Sequence, residues 1–194
     1  MSKGGAQVKR LVYGIILYLI LLLPPVISFL ENHMVTHMLL QMPLLIVVGV
    51  LIGDYVIKRF PTFFNRWNGS GIPGITLVFL VTMYWMLPRA MDEALALQTV
   101  EIFKYVSFPF LVGVPLLDSW RRLKAFGKGF IIFNYIPMFG MMAWLYIDSP
   151  IQVCNNYLES EQKMLGWGFL LITLFMLLHI LQKVFVDQTE KTAS

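Results

Sequence analysis

Long apolar runs, without the polar alternation of a half-buried strand, organise this chain. Six of them stand out, at about Leu11–Leu30, Val35–Ile57, Ile72–Pro88, Val100–Leu117, Phe130–Tyr146 and Met164–Phe185. Each is close to the roughly 20 residues a helix needs to cross a hydrocarbon core of roughly 30 Å. The pattern predicts an all-α membrane protein: a bundle of six transmembrane helices forming a single integral domain over residues 1–194. No small-residue cleavage site follows the first run, which therefore reads as a retained span rather than a signal peptide. Pro43, Pro109, Pro115 and Pro137 fall inside the runs and predict kinks. The segments Lys58–Gly71 and Ile147–Lys163 read as the longest loops, and Asn68–Ser70 as a turn.

Composition agrees with the pattern. Hydrophobic residues are 58% and charged residues 13% of the chain, too few charges to coat a soluble surface and too much apolar side chain for disorder. One cysteine excludes a disulfide framework and a thiolate-rich zinc site. The net charge of +4 is too small to point to nucleic acid and is unevenly placed. Lys3, Lys9, Arg10, Lys58, Arg59, Arg66, Arg121, Arg122, Lys124, Lys128, Lys183 and Lys191 fall on one side of the predicted bundle. Glu31, Asp92, Glu93, Asp148, Glu159 and Glu161 fall on the other, with only Arg89 and Lys163 as cations there and Lys104 just inside a helix. The positive-inside rule then puts both termini in the cytoplasm. Asp54 and Asp118 sit near cytoplasmic helix ends, within reach of water, and Glu101 and Lys104 are spaced to pair at the opposite edge.

The segment with most chemistry begins the second run. His33 and His37 are four apart, hence on one face of a helix, where two imidazoles can chelate one metal ion. Met34, Met38 and Met42 form a second ladder at the same spacing. Imidazole with thioether suits Cu(I), a soft ion; a polar helix start with methionine as adaptable packing is the plainer alternative. Ten of the 12 methionines, all but Met1 and Met176, fall in the predicted outer half, which favours an outward copper site. Asp92 and Glu93 lie at the same mouth. His179 lies about 22 Å down the last helix and reads as packing. Cys154 has no mark of a reactive thiol.

Several segments resemble one family, the CtaG-type multi-span factors for cytochrome c oxidase assembly. They are His33-Met34-Val35-Thr36-His37-Met38-Leu39-Leu40, then Trp85-Met86-Leu87-Pro88 through Asp92, Ala94 and Leu95. Phe103-Lys104-Tyr105-Val106-Ser107-Phe108 and Glu161-Gln162-Lys163-Met164-Leu165-Gly166 add weaker likenesses. Met86 and Tyr105 stand where the family tends to have histidine. The resemblance implies a factor of the bacterial cytoplasmic membrane that serves a copper-dependent respiratory oxidase, with an oxidase subunit or a periplasmic copper carrier as partner. With the residues above, it implies Cu(I) held by His33 and His37, completed by Met34, Met38 or Met86 and oriented by Asp92 and Glu31. A metal-free scaffold for respiratory subunits and a haem or copper redox protein are the competing readings; no catalytic constellation for hydrolysis is present.

Overall fold

The computed structural model describes residues 3–149 and 152–192. Among these, nine helices and no strand are present: α1 (Lys3–Leu21), α2 (Pro24–Glu31), α3 (Met34–Arg59), α4 (Pro61–Trp67), α5 (Ile72–Met86), α6 (Pro88–Ala96), α7 (Gln98–Arg122), α8 (Ala125–Asp148) and α9 (Glu159–Thr192). Four of them, α3, α7, α8 and α9, are long and apolar enough to cross a membrane. The number rises to six if the bent pairs α1–α2 and α4–α5 each count as one span. This is the architecture of a membrane protein, and many large apolar side chains, such as Phe126, Phe175 and Leu171, face outward as a lipid-facing surface requires.

The centre is α3 against α7. About half of each apolar window is buried, 44% and 50%, against 17% and 22% for α8 and α9. Helices α1 and α5 flank this pair, and α8 and α9 pack along each other through Tyr135, Phe139, Phe169 and Tyr146, stacked in sequence. The start of α3 reaches α9, closing the bundle.

Prolines account for most departures from six plain spans. The first run breaks after Leu21, and α2 leaves α1 at 72°. Pro24 and Pro25 have no N–H to continue the α1 ladder and instead open a new helix. The third run stops at Met86, because Leu87 precedes Pro88 and takes the extended conformation (φ −67°, ψ 129°). The expected loop after Lys58 contains a further helix, α4, meeting α5 at 84°. Gly71 makes that corner with φ +78°, a conformation few other residues adopt. Pro43 and Pro109 sit beside or within widened π turns, His37–Gln41 in α3 and Ser107–Gly113 in α7. The extra residue in each turn accommodates backbone that a proline cannot bond.

The two ends differ in charge. At the basic end Asp54 is held by Arg10 (3.2 Å) and Arg121 (2.6 Å), tying α1, α3 and α7 together. Asp118 is buried, paired with Arg122 at 2.9 Å and bonded by Asn68 Nδ2 at 2.8 Å. Both aspartates were expected to reach water: Asp54 keeps 12% of its side chain exposed between two largely exposed arginines, whereas Asp118 is enclosed by protein donors. Asn68–Ser70 is the expected turn: Gly69 and Ser70 are exposed, while Asn68 is fully buried and its side chain anchors the corner, accepting the Gly74 N–H and donating to Asp118 and Ser119, so that it joins α4, α5 and α7.

Candidate functional site

The other end of the bundle holds a buried polar cluster built from four elements. Helix α2 ends on Glu31, α3 brings His37 and Gln41, α7 brings Lys104 and Tyr105, and the loop before α9 brings Tyr157. His37, Gln41 and Lys104 have no exposed surface at all. The Lys104 ammonium donates to Glu31 Oε1 at 2.5 Å and to His37 Nε2 at 3.2 Å. Glu31 Oε1 also accepts the Tyr105 hydroxyl and Gln41 Nε2, each at 3.1 Å. One carboxylate oxygen thus meets three donors, which offsets the cost of burying its charge. Glu101, expected to pair with Lys104, does not form that bridge; Glu31 does.

The network also fixes the state of His37. Tyr157 spends its hydroxyl proton on the Glu31 carbonyl at 2.9 Å, so its oxygen accepts from His37 Nδ1–H at 2.8 Å. Nε2 is therefore the bare nitrogen, and its lone pair takes a proton-bearing nitrogen of Lys104. Burial, and then the negative charge of Glu31, hold the Tyr157 hydroxyl above the ordinary phenol range, so it stays a donor at neutral pH. Gln41 Oε1 is buried with no partner among the described residues.

The predicted site residues separate into two groups. Glu31 and His37 belong to the cluster, and Met34 and Met38 are buried in the apolar core on the same turns of α3. His33 does not share a face with His37. It precedes the first residue of α3 in an extended conformation (φ −126°, ψ 137°) and turns outward. Its ring is 63% exposed and meets Glu161 of α9 at 2.6 Å. Met86 is half-buried at the end of α5, packed against the core. Asp92, on α6, accepts the Asn155 N–H at 2.9 Å and both the Asn155 and Asn156 side-chain amides at 3.1 Å. It pins the loop above the cluster and does not touch an imidazole. Among the described residues, no group of three histidine, cysteine, aspartate or glutamate side chains is gathered for a metal ion. His179, expected to pack, is exposed along α9.

Sequence reasoning missed Lys104, Gln41 and Tyr157 as members of one site. Gln41 follows His37 by four residues, and Lys104 is a lone cation in an apolar run; both signals were legible. Tyr157 lies in a loop whose docking no periodicity reports.

The loop itself is tied from below by Gln162. Its Oε1 accepts the Val153 and Cys154 N–H groups, and its Nε2 donates to the Cys154 and Tyr157 carbonyls at 3.0 Å. Cys154 is fully buried, and burial, with the nearby Asp92 charge, pushes its thiol up to about 12. Maleimide at pH 8 is expected to label the folded protein in detergent far more slowly than a free thiol, at a rate set by opening of this loop, and to label it fully in SDS. Labelling of the folded protein at the rate of a free thiol would contradict the buried position.

Comparison with known proteins gives no matching family model, no matching curated protein and no matching solved structure.

Proposed function

We propose that this chain is a six-span membrane factor, with both termini in the cytoplasm, that handles Cu(I) at its outer face for assembly of a copper-dependent respiratory oxidase. The reading is of the CtaG type. The observation that carries it is convergence: the segments that resemble that family come together at one end of the bundle. His37 bonds Lys104, His33 bonds Glu161, and Trp85 Nε1 donates to Ser107 Oγ at 2.8 Å. Grouping of Arg10, Lys58 and Arg121 at the opposite end supports a cytoplasmic assignment for that side.

Donors for a soft ion are present, but they are not free. His37 offers a bare Nε2 on the same helix that carries Met34 and Met38, a donor set that suits Cu(I). The Lys104 ammonium lies on that lone pair, so Cu(I) as cargo enters only where Lys104 is displaced. His33 is set apart from this position. Anaerobic loading of the purified chain with Cu(I) is expected to leave about one ion per chain, retained in His33→Ala and lost in His37→Ala. Retention in His37→Ala would sink the assignment.

The occupied Nε2 favours a second reading, a metal-free scaffold for respiratory subunits. In that case Lys104 is itself the permanent cation of the site, the wild-type chain retains no Cu(I), and His37→Ala leaves oxidase assembly intact.

A further inference from the structure

A groove of about 790 Å³ opens between α5 and α8 at the basic end, far from the polar cluster. Its walls are Ile75, Thr76 and Phe79 on one side and Phe130 and Ile131 on the other, with Arg122 and Lys124 at the rim. It closes toward the middle of the bundle, where the Tyr135 ring meets Phe79 edge-on and its hydroxyl bonds Thr82 Oγ1 at 2.9 Å. From Lys124 to Tyr135 the helix rises about 16 Å, close to half of a hydrocarbon core of roughly 30 Å. The depth of the groove is therefore that of one leaflet.

The rim is cationic and only partly satisfied. Arg122 gives Nε to Asp118 and one terminal nitrogen to Asn65, which leaves the other terminal nitrogen available. Lys124 is exposed and has no hydrogen bond or ion pair from its side chain among the described residues. Helix α8 begins directly after it without a side-chain cap, so its first N–H groups also face the rim. Asp118, the nearest carboxylate, is already neutralised by Arg122.

We propose that this groove holds one anionic phospholipid of the leaflet at the basic end, its acyl chain against α5 and α8 and its phosphate at Lys124 and Arg122. Charge complementarity selects the headgroup, and the one-leaflet depth selects a lipid over a soluble ligand. Basic pockets between membrane helices are a recurring form of such recognition, and a single lysine near the surface contributes about fivefold in affinity.

The test is native mass spectrometry of the full chain in detergent with equal dioleoyl phosphatidylglycerol and dioleoyl phosphatidylcholine. Wild type is expected to retain one phosphatidylglycerol in at least fivefold preference. Lys124→Gln, an exposed and unpaired position, is expected to cut that preference about fivefold while leaving the chain folded by size exclusion. Thr76→Trp, also exposed, fills the groove and is expected to reduce retention of both lipids. Equal retention of the two lipids by wild type, or retention unaltered by both substitutions, would overturn the proposal. So would displacement of the lipid by excess glycerol phosphate, which would assign the rim to a free phosphate.

Discussion

Replacement of Lys104 by methionine is expected to cost about 3–5 kcal/mol of stability, measured by SDS-titration unfolding of the chain in detergent. The side chain has no exposed surface, and its removal strands the Glu31 carboxylate and the His37 Nε2 lone pair in the interior. Leaving one charge of a buried pair without its partner has a cost of that size. The same reasoning predicts the behaviour of the double variant. Glu31→Gln keeps a side chain that Tyr105 and Gln41 can still bond and removes the charge. In Lys104→Met with Glu31→Gln no uncompensated ion remains, so the double variant should recover most of the loss. Strictly additive losses in the two single variants and the double would show that Lys104 and Glu31 do not act as a pair.

Gly49→Ala is the second large effect. Helices α3 and α7 cross with their backbones in contact there: a Cβ at Gly49 would fall on the Pro109 carbonyl oxygen and 2.8 Å from the Gly113 Cα. Ordinary overpacking costs about 1–3 kcal/mol because side chains shift aside. Here the obstruction is main chain on the widened turn of α7, which cannot shift without separating the two central helices. Small residues four apart, Gly49 and Gly53, allow this approach. The expected result is loss of monodisperse protein from detergent extracts. Gly53→Ala supplies the contrast, since its nearest neighbour is the mobile end of Leu117 at 3.0 Å, and it should survive. Equal recovery of both variants would show that the α3 and α7 backbones are not in contact at Gly49.

The helical content and the approximate positions of the apolar runs were legible in the sequence, because continuous apolar stretches about 20 residues long leave the backbone few alternatives to a helix. Breaks were half legible. Pro88 announced the end of the third run, whereas the first run was expected to continue through Pro24 and Pro25, where the structure breaks it; how far the chain turns at each depends on what the next helix packs against. The histidine pair shows the limit most clearly. Four-residue spacing places two side chains on one face only inside a regular helix, and His33 lies one residue before α3 begins, just ahead of a widened turn at His37. The cluster was harder to read still. Its ionic bond joins Glu31 to Lys104 across 73 positions, and Glu101, the partner that local spacing suggests, is passed over. Periodicity reports faces of single helices; it does not report which helices meet.

The loop over the cluster carries a consequence for exchange with solvent. Its amides at Val153, Cys154 and Asn155 are held by side-chain acceptors, Gln162 and Asp92, not by a helical ladder. Two side chains can let go without any helix unwinding, so this stretch can open in a local event of much lower free energy than unfolding of the bundle. Deuterium should accordingly enter at residues 153–155 well before it enters the α3–α7 crossing. The polar interior beneath would then be wetted on the timescale of that opening, while the rest of the molecule stays closed.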